Sequence, residues 1–210
     1  MNTIIKINLK NPESDKIKKI GSYLKLGKIL VFPTDTVYGI GCDPFNIESI
    51  KKIYKIKRRN TKKGLPVLIY SIKVIKKFVV MNDLAKNLIK EFWPGQLTLI
   101  LNKNEKVPEI LTGGKKTIAI RQPNNLITML IAEQINYGGI IGTSANISGE
   151  KAPISIDEAM NQLGDTVDYY IDGGISDKKV PSTVLNLTIK PPKLLREGSI
   201  LFEDIKRYII

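Results

Sequence analysis

The chain has 210 residues, of which 42% are hydrophobic and 25% charged, a composition typical of a globular protein rather than a disordered or fibrous one. It contains no histidine and one cysteine, which excludes imidazole catalysis, internal disulfides and multi-thiolate metal sites. No apolar run approaches the roughly 20 residues that span a bilayer, and the first residues do not resemble a secretory leader. We therefore expect a cytoplasmic protein without a membrane partner.

Basic residues outnumber acidic residues by 33 to 20, which gives a formal net charge of +13. This excess suits an anionic partner such as a nucleotide or RNA, but lysines on solvated helix faces explain it equally well. Arginine is the more informative residue, because it offers a fixed and permanently charged fork for phosphate or carboxylate. The arginines are Arg58, Arg59, Arg121, Arg196 and Arg207.

Strand-like and helix-like segments alternate along the chain. Their apolar patterns predict strands at 4–9, 29–32, 65–70, 96–101, 117–121, 139–142, 169–171, 182–187 and 193–196. Helices are predicted at 11–27, 46–57, 71–78, 83–92, 126–136, 155–163 and after 202, with Asn46 as an N-cap and Gly27 as a stop. Segments 103–116 and 173–181 are predicted loops. The chain is therefore predicted to be of the α/β class, with a large sheet in one domain over residues 1–210.

Polar segments follow several predicted strands, which is where α/β proteins place ligands. The first of them is PTDTVYGIG at 33–41, in which Thr34, Thr36 and Tyr38 offer hydroxyls beside glycines that allow close backbone approach. It lacks the Gly-Lys-Ser/Thr of a Walker A loop, so it is equally readily explained as a polar turn.

The remaining polar segments offer charged groups and hydroxyls. The basic segment KRRNTKKG at 57–64 is typical of a phosphate clamp, with a solvated loop as the alternative. The strand TIAIR at 117–121 ends in Arg121, which could capture a carboxylate. The turn TSANISG at 143–149 offers hydroxyls and backbone N–H groups to an anion or nucleotide. Two more segments, PSTV at 181–184 and LLREG at 194–198, place further hydroxyls and Arg196 at strand ends.

Taken in this order over residues 27–198, the segments resemble the motifs of the YrdC-type threonylcarbamoyl-AMP synthase family. The resemblance implies a twisted, mostly open mixed sheet flanked by helices, with a concave, positively charged cavity, in the single-domain form. It also implies a nucleotidyltransferase that joins L-threonine, bicarbonate (or CO2) and ATP, with Mg²⁺, into threonylcarbamoyl-AMP and pyrophosphate. A separate transferase complex would then carry the threonylcarbamoyl group to an adenosine of tRNA.

The resemblance implies roles for individual residues. L-Threonine would be bound by Thr36, Arg121 and Ser182. ATP would be bound by Lys57, Arg59, Lys63, Thr117, Ser144, Asn146 and Arg196, of which Lys57 and Arg59 are also predicted to be catalytic. No protein ligand to a metal is predicted, and Asp35 could contact a metal or cap a turn. Leu68 stands where some relatives carry a histidine.

Two other functions are compatible with parts of the sequence. A module that binds double-stranded RNA or tRNA would use the positive charge, but aromatic residues are only 7% of the chain and no RNA-binding signature is present. A carbamoyl-adenylate domain of metallocentre maturation is the third candidate. Such domains lie in long cysteine-rich chains, so the single cysteine argues against it.

Overall fold

The computed structural model describes residues 3–176 and 180–209, in which strands and helices alternate. The strands are β1 (Thr3–Lys6), β2 (Leu30–Phe32), β3 (Gly39–Gly41), β4 (Val67–Ile69), β5 (Val79–Val80), β6 (Leu97–Lys103), β7 (Thr117–Arg121), β8 (Gly139–Ile141), β9 (Thr143–Ser144), β10 (Tyr169–Asp172), β11 (Thr183–Asn186) and β12 (Lys193–Arg196). The α-helices are α1 (Ser14–Lys25), α2 (Ile47–Ile56), α3 (Asp83–Phe92), α4 (Glu109–Thr112), α5 (Leu126–Glu133), α6 (Ile156–Leu163) and α7 (Phe202–Lys206). Within these described ranges, no helix combines the length and the apolar character that crossing a membrane requires.

The strands form two sheets, where the sequence predicted one large sheet. One sheet has five strands in the order β1-β10-β2-β3-β9, and the other has seven, in the order β12-β11-β6-β7-β4-β8 with β5 paired to β6. The chain steps from one sheet to the other at Gly142, between β8 and β9. A Cβ atom at Gly142 would lie 2.3 Å from a methyl carbon of Leu68, so any larger residue at this crossing would displace the buried Leu68 side chain.

Side-chain caps fix the beginnings of four helices. Asn46, Asn82 and Asn125 each accept a hydrogen bond from the third residue beyond them, at the starts of α2, α3 and α5. Ser155 caps α6 in the same way, while Glu158 accepts from the backbone N–H of Ile154. The predicted N-cap at Asn46 is therefore confirmed.

Five short elements were not predicted, among them a 3₁₀ helix over Gly164–Thr166, and one predicted helix has a different geometry. β3, β5 and β9 have two or three residues each, too few to show an apolar alternation. α4 lies inside the predicted loop 103–116, between Pro108 and Gly113, whose φ of 65° ends it. The predicted helix at 71–78 is a 3₁₀ helix over Ile72–Lys77, in line with its branched side chains. Of the predicted loop 173–181, residues 177–179 lie outside the described residues.

Helices α1 and α5 pack together and close one side of the core. The predicted apolar face of α1 is buried, with Ile17, Ile20 and Leu24 each at most 3% exposed. These side chains share a cluster with residues of β2, β4 and β8, so the helices bridge both sheets. Each fully buried leucine or isoleucine contributes about 1.5–3 kcal/mol to folding. The core thereby holds the two sheets in a fixed relation around their junction.

Candidate active site

The pairing of β3 with β9 brings two of the polar segments together. Gly39 pairs with Ser144 and Ile40 with Thr143, and the backbone N–H of Ala145 donates to the carbonyl of Tyr38 at 2.8 Å. The segments 33–41 and 143–149, about a hundred residues apart in sequence, therefore lie side by side at the junction of the sheets.

A cavity of about 300 Å³ opens at this junction, and we call it the central cavity. Its volume lies at the lower end of the range of about 300–1,000 Å³ that small-molecule sites occupy. Six of the predicted site residues line it, and they come from both sheets: Thr36, Arg59, Arg121, Ser144, Ser182 and Arg196. Leu68 lines it as well, together with hydroxyls at Thr34 and Thr98.

Arg121 is only 4% exposed, and both terminal nitrogens of its guanidinium have partners in the protein. One terminal nitrogen forms an ion pair with Asp35, and the other donates to the hydroxyl of Thr36 at 3.4 Å. The Nε atom is buried and has no hydrogen-bond partner among the described residues. Burial lowers the pKa of Arg121, and the Asp35 carboxylate opposes that shift. A charged donor group is thus fixed at the wall of the central cavity.

Ser182, Thr98 and Arg196 form a second polar group in the same wall. The hydroxyls of Ser182 and Thr98 lie 2.8 Å apart, and the guanidinium of Arg196 donates to the carbonyl of Ser182 at 2.8 and 3.0 Å. Ser182 and Arg196 are predicted site residues, whereas Thr98 was not predicted. The available signal was a hydroxyl inside the apolar run Leu97–Leu101, where a buried polar group requires a partner.

A second cavity, of about 360 Å³, adjoins the central one, and we call it the basic cavity. It is lined by Lys57, Arg58, Arg59, Asn60, Lys63, Ser144, Asn146, Ser148 and Gly149. Arg59 and Ser144 line both cavities. Arg59 is oriented by the loop that follows it, because it donates to the carbonyls of Lys63 at 3.0 Å and Gly64 at 2.9 Å.

Lys57 is 1% exposed, and its ammonium contacts backbone rather than open space. It donates to the carbonyl of Ser144 and, at 2.7 Å, to the carbonyl of Asn146. The carbonyl of Lys57 in turn accepts from the N–H of Ser148 at 2.8 Å. Burial lowers the pKa of Lys57 to about 7, and the neighbouring charge of Arg59 adds to this effect. Lys57 therefore fastens the segment 143–149 to the end of α2.

Helix α2 ends in a turn that places an arginine where glycine is usually found. The N–H of Arg59 bonds to the carbonyl of Tyr54 and that of Arg58 to the carbonyl of Lys55, which is the pattern of a Schellman motif. Arg58 has a φ of 48°, in the left-handed region that glycine occupies most easily. This turn directs the chain from α2 into the basic cavity.

Replacing Arg58 by glycine is expected to raise the free energy of unfolding by about 1 kcal/mol, because the left-handed backbone is then unstrained. Urea unfolding of the two proteins measures the change. Lys55→Gly, inside the same helix and exposed, is the control and should lose about 1 kcal/mol. Equal losses in both variants would contradict the strain at Arg58.

The predicted site residues are not all at the two cavities. Lys63 and Asn146 line the basic cavity, whereas Thr117 lies at the start of β7 and lines neither cavity. Tyr38 lines the central cavity but is 0% exposed, and its hydroxyl donates to the carbonyl of Gly174 at 2.5 Å. Tyr38 thus supports the turn after β10.

The basic cavity does not fit a resident divalent cation. Its lining has ammonium, guanidinium, amide and hydroxyl groups but no carboxylate, which is the ligand that Mg²⁺ prefers in proteins. Within residues 3–176 and 180–209, no three His, Cys, Asp or Glu side chains cluster at a distance suited to a metal. The lining is suited to an anion instead.

Known proteins resemble this chain over most of its length. The Sua5/YciO/YrdC family model, described as "Telomere recombination", matches residues 22–198. The threonylcarbamoyl-AMP synthase of Pyrococcus abyssi is 36% identical over 200 residues, which are 94% of this chain and 58% of the relative. The putative threonylcarbamoyl-AMP synthase of Methanocaldococcus jannaschii is 37% identical over 210 residues, and 98% of each chain is covered. The chain thus spans little more than half of the first relative and nearly all of the second.

Solved structures agree with the sequence comparison. P. abyssi Sua5 complexed with L-threonine has a TM-score of 0.94 at 35% identity, covering 99% of this chain and 61% of that one. E. coli YciO has a TM-score of 0.89 at 25% identity, with 100% of both chains covered. The predicted α/β fold with helix-flanked open sheets is confirmed. On the family model, the identities and the shared fold, this chain belongs to the Sua5/YciO/YrdC family.

Proposed function

We propose that the chain synthesises threonylcarbamoyl-AMP from L-threonine, bicarbonate and ATP and releases pyrophosphate. The observation that carries the proposal is the shared wall of the two cavities. Arg59 and Ser144 line both, so an amino-acid pocket with Arg121 and a phosphate pocket with Lys63 adjoin each other. The relatives named threonylcarbamoyl-AMP synthase, and the Sua5 structure complexed with L-threonine, support the same assignment.

The reaction has two steps in this proposal. The threonine amine and bicarbonate form an N-carboxy group with loss of water. A carboxy oxygen of that group then attacks the α-phosphorus of ATP, and the bond from that phosphorus to the bridging oxygen of the β-phosphate breaks. No histidine is required, because the negative charge that moves onto pyrophosphate is stabilised by fixed cations.

The lining residues supply positioning and charge. Arg121 binds the threonine carboxylate, with the hydroxyls of Thr36 and Ser182 on the same cavity wall. Arg59 and Lys63 bind the phosphates in the basic cavity. Holding the N-carboxy group and the α-phosphate of ATP close together in a reactive orientation removes the entropy cost of bringing them together. The activation free energy of the adenylation step is therefore lower.

The proposed reaction also involves Mg²⁺ and a second enzyme that uses the product. Mg²⁺ would arrive with ATP, bound to phosphate oxygens and water, since the cavity lining offers it no carboxylate. The product is a reactive mixed anhydride, so a transferase that acts on adenosine in tRNA is the proposed consumer. Residues 1–210 are proposed as one catalytic domain.

The proposal is tested by incubating the protein with ATP, labelled bicarbonate and single amino acids, and measuring pyrophosphate and labelled adenylate. Release that requires both threonine and bicarbonate is expected. Valine serves as the matched amino acid, because it has nearly the shape of threonine but lacks the hydroxyl, and it should give at least about tenfold less product.

Two other outcomes would contradict this function. Tight binding of tRNA or double-stranded RNA without pyrophosphate release would favour the RNA-binding module. Release that depends on carbamoyl phosphate instead of threonine would favour the carbamoyl-adenylate reaction.

A further inference from the structure

Asp35 and Arg121 form a buried ion pair at the edge of the central cavity. Its side chain is 8% exposed and that of Arg121 is 5% exposed, so both charges lie in the protein interior. Removing one partner of such a pair leaves the other charge uncompensated and is costly. A carboxylate in this position therefore determines where the guanidinium can lie.

Asp35 is itself held by hydrogen bonds from two other parts of the chain, residues 121–124 and Gln96. One carboxylate oxygen accepts from Arg121 on β7, and the other accepts from the backbone N–H of Asn124 at 3.1 Å. The backbone carbonyl of Asp35 accepts from the side-chain amide of Gln96 at 2.9 Å. Two contacts besides the one with Arg121 thus fix the carboxylate: the Asn124 N–H holds its second oxygen, and Gln96 holds the backbone that carries it.

Asp35 does not line the central cavity, although Arg121 does. It lines a separate cavity of about 270 Å³, with Asn124 and Ser176 among its neighbours. A substrate in the central cavity would therefore meet the guanidinium of Arg121 and not the carboxylate. Asp35 can influence such a substrate only through the arginine.

We infer that Asp35 is a positioning residue, which holds the Arg121 guanidinium with its unpaired edge toward the amino-acid substrate. The inference rests on the proposed function, because it assigns the substrate carboxylate to Arg121. Asp35 occupies one terminal nitrogen, and Thr36 accepts from the other at 3.4 Å, which is long enough to yield to a stronger acceptor. The Nε atom, buried and without a partner in the described part of the chain, is a further donor on this group.

Asp35→Asn tests the inference, because an amide of the same shape cannot accept from both neighbours. With its oxygen toward Arg121, its NH₂ group faces the N–H of Asn124, and two donors then oppose each other. We expect threonine to bind at least about tenfold more weakly to this variant in calorimetry, with ATP affinity within about twofold of the wild type. In steady-state assays the KM for threonine should rise by the same factor, whereas a merely structural role would lower kcat and leave both KM values unchanged.

Asp35→Glu keeps the charge and lengthens the side chain by one methylene. It should recover part of the threonine affinity that Asp35→Asn loses but still bind threonine about threefold more weakly than the wild type, because the longer side chain displaces the guanidinium. If Asp35→Asn does not fold, this variant alone decides: a loss of about threefold confined to threonine supports the inference, and unchanged affinity overturns it.

Asp168→Asn is the matched control. Asp168 accepts from the ammonium of Lys28 at 3.2 Å and from the N–H of Ile29 at 2.8 Å, an arrangement like that of Asp35 but away from both cavities. Its loss should leave the threonine affinity unchanged. Threonine binding by folded Asp35→Asn that equals the wild type would overturn this inference alone. A wild type that does not bind threonine would overturn the proposed function and the inference with it.

Discussion

An Arg121→Lys variant is expected to bind threonine about 10- to 100-fold more weakly while its affinity for ATP stays within about twofold. Lysine keeps the positive charge beside Asp35, so the buried pair survives. It lacks the planar fork, however, and cannot serve Asp35, Thr36 and a substrate carboxylate from one rigid group. Calorimetric titration with each substrate separately measures the two affinities.

Arg59→Ala is expected to show the opposite pattern. Arg59 donates to the carbonyls of Lys63 and Gly64 and lines the basic cavity, so its removal takes away an anchor of the loop and the proposed contact with phosphate. We expect ATP to bind about 10- to 100-fold more weakly, with threonine affinity within about threefold.

Arg207→Ala is the control for both variants. Arg207 follows α7, stacks over the ring of Tyr208 with its guanidinium 5.0 Å from the ring centroid, and lines neither cavity. It should change neither affinity, although it removes the same charge as Arg59→Ala. Equal loss of both substrates in Arg121→Lys and Arg59→Ala would contradict two separate pockets. If Arg121→Lys and Arg59→Ala weakened only RNA binding and left both substrate affinities unchanged, the assignment of the site would be contradicted.

Much of the fold could be predicted because its longer elements carry strong local signals. The strand Thr117–Arg121 and the helix Asp83–Phe92 have the predicted bounds, since apolar periodicity and an Asn cap mark them. The division into two sheets could not be predicted. The division depends on the pairing of β3 with β9. These strands have only three and two residues, and their glycines and hydroxyl side chains are equally typical of a turn.

The candidate site shows the same limit. Ordered motifs selected Arg121 and Ser182, and the structure places both at the central cavity. The partner of each was missed, because Asp35 and Thr98 come from other strands or loops and only tertiary packing brings them into contact. The motifs also gave Lys57 a contact with phosphate, which stays a prediction, while its ammonium contacts two backbone carbonyls in this structure.

Lys57 gives the protein an unusual dependence of stability on pH. Burial lowers its pKa to about 7 in the folded chain, whereas an unfolded lysine has a pKa near 10.4. Between these values the unfolded chain binds a proton that the folded chain has released. The free energy of unfolding must therefore rise as the pH increases above 7, by up to about 1.4 kcal/mol per pH unit.

The chain has no histidine, so few other groups change charge between pH 6 and 8. The wild type is expected to gain about 1 to 1.5 kcal/mol in the free energy of unfolding over this interval, measured by urea denaturation at each pH. Lys57→Met removes the titrating group and should flatten the dependence. Its stability at pH 8 should also be lower by about 1–3 kcal/mol, because the carbonyls of Ser144 and Asn146 lose their donor.

Lys55→Met is the matched control, since Lys55 is exposed on the same helix and no contact fastens it to the segment 143–149. It should reproduce the wild-type slope. The difference in slope between the two methionine variants isolates the contribution of the Lys57 ammonium. A wild-type stability that falls from pH 7 to 8, or a Lys57→Met variant with the wild-type slope, would mean that this lysine stays charged in the folded chain.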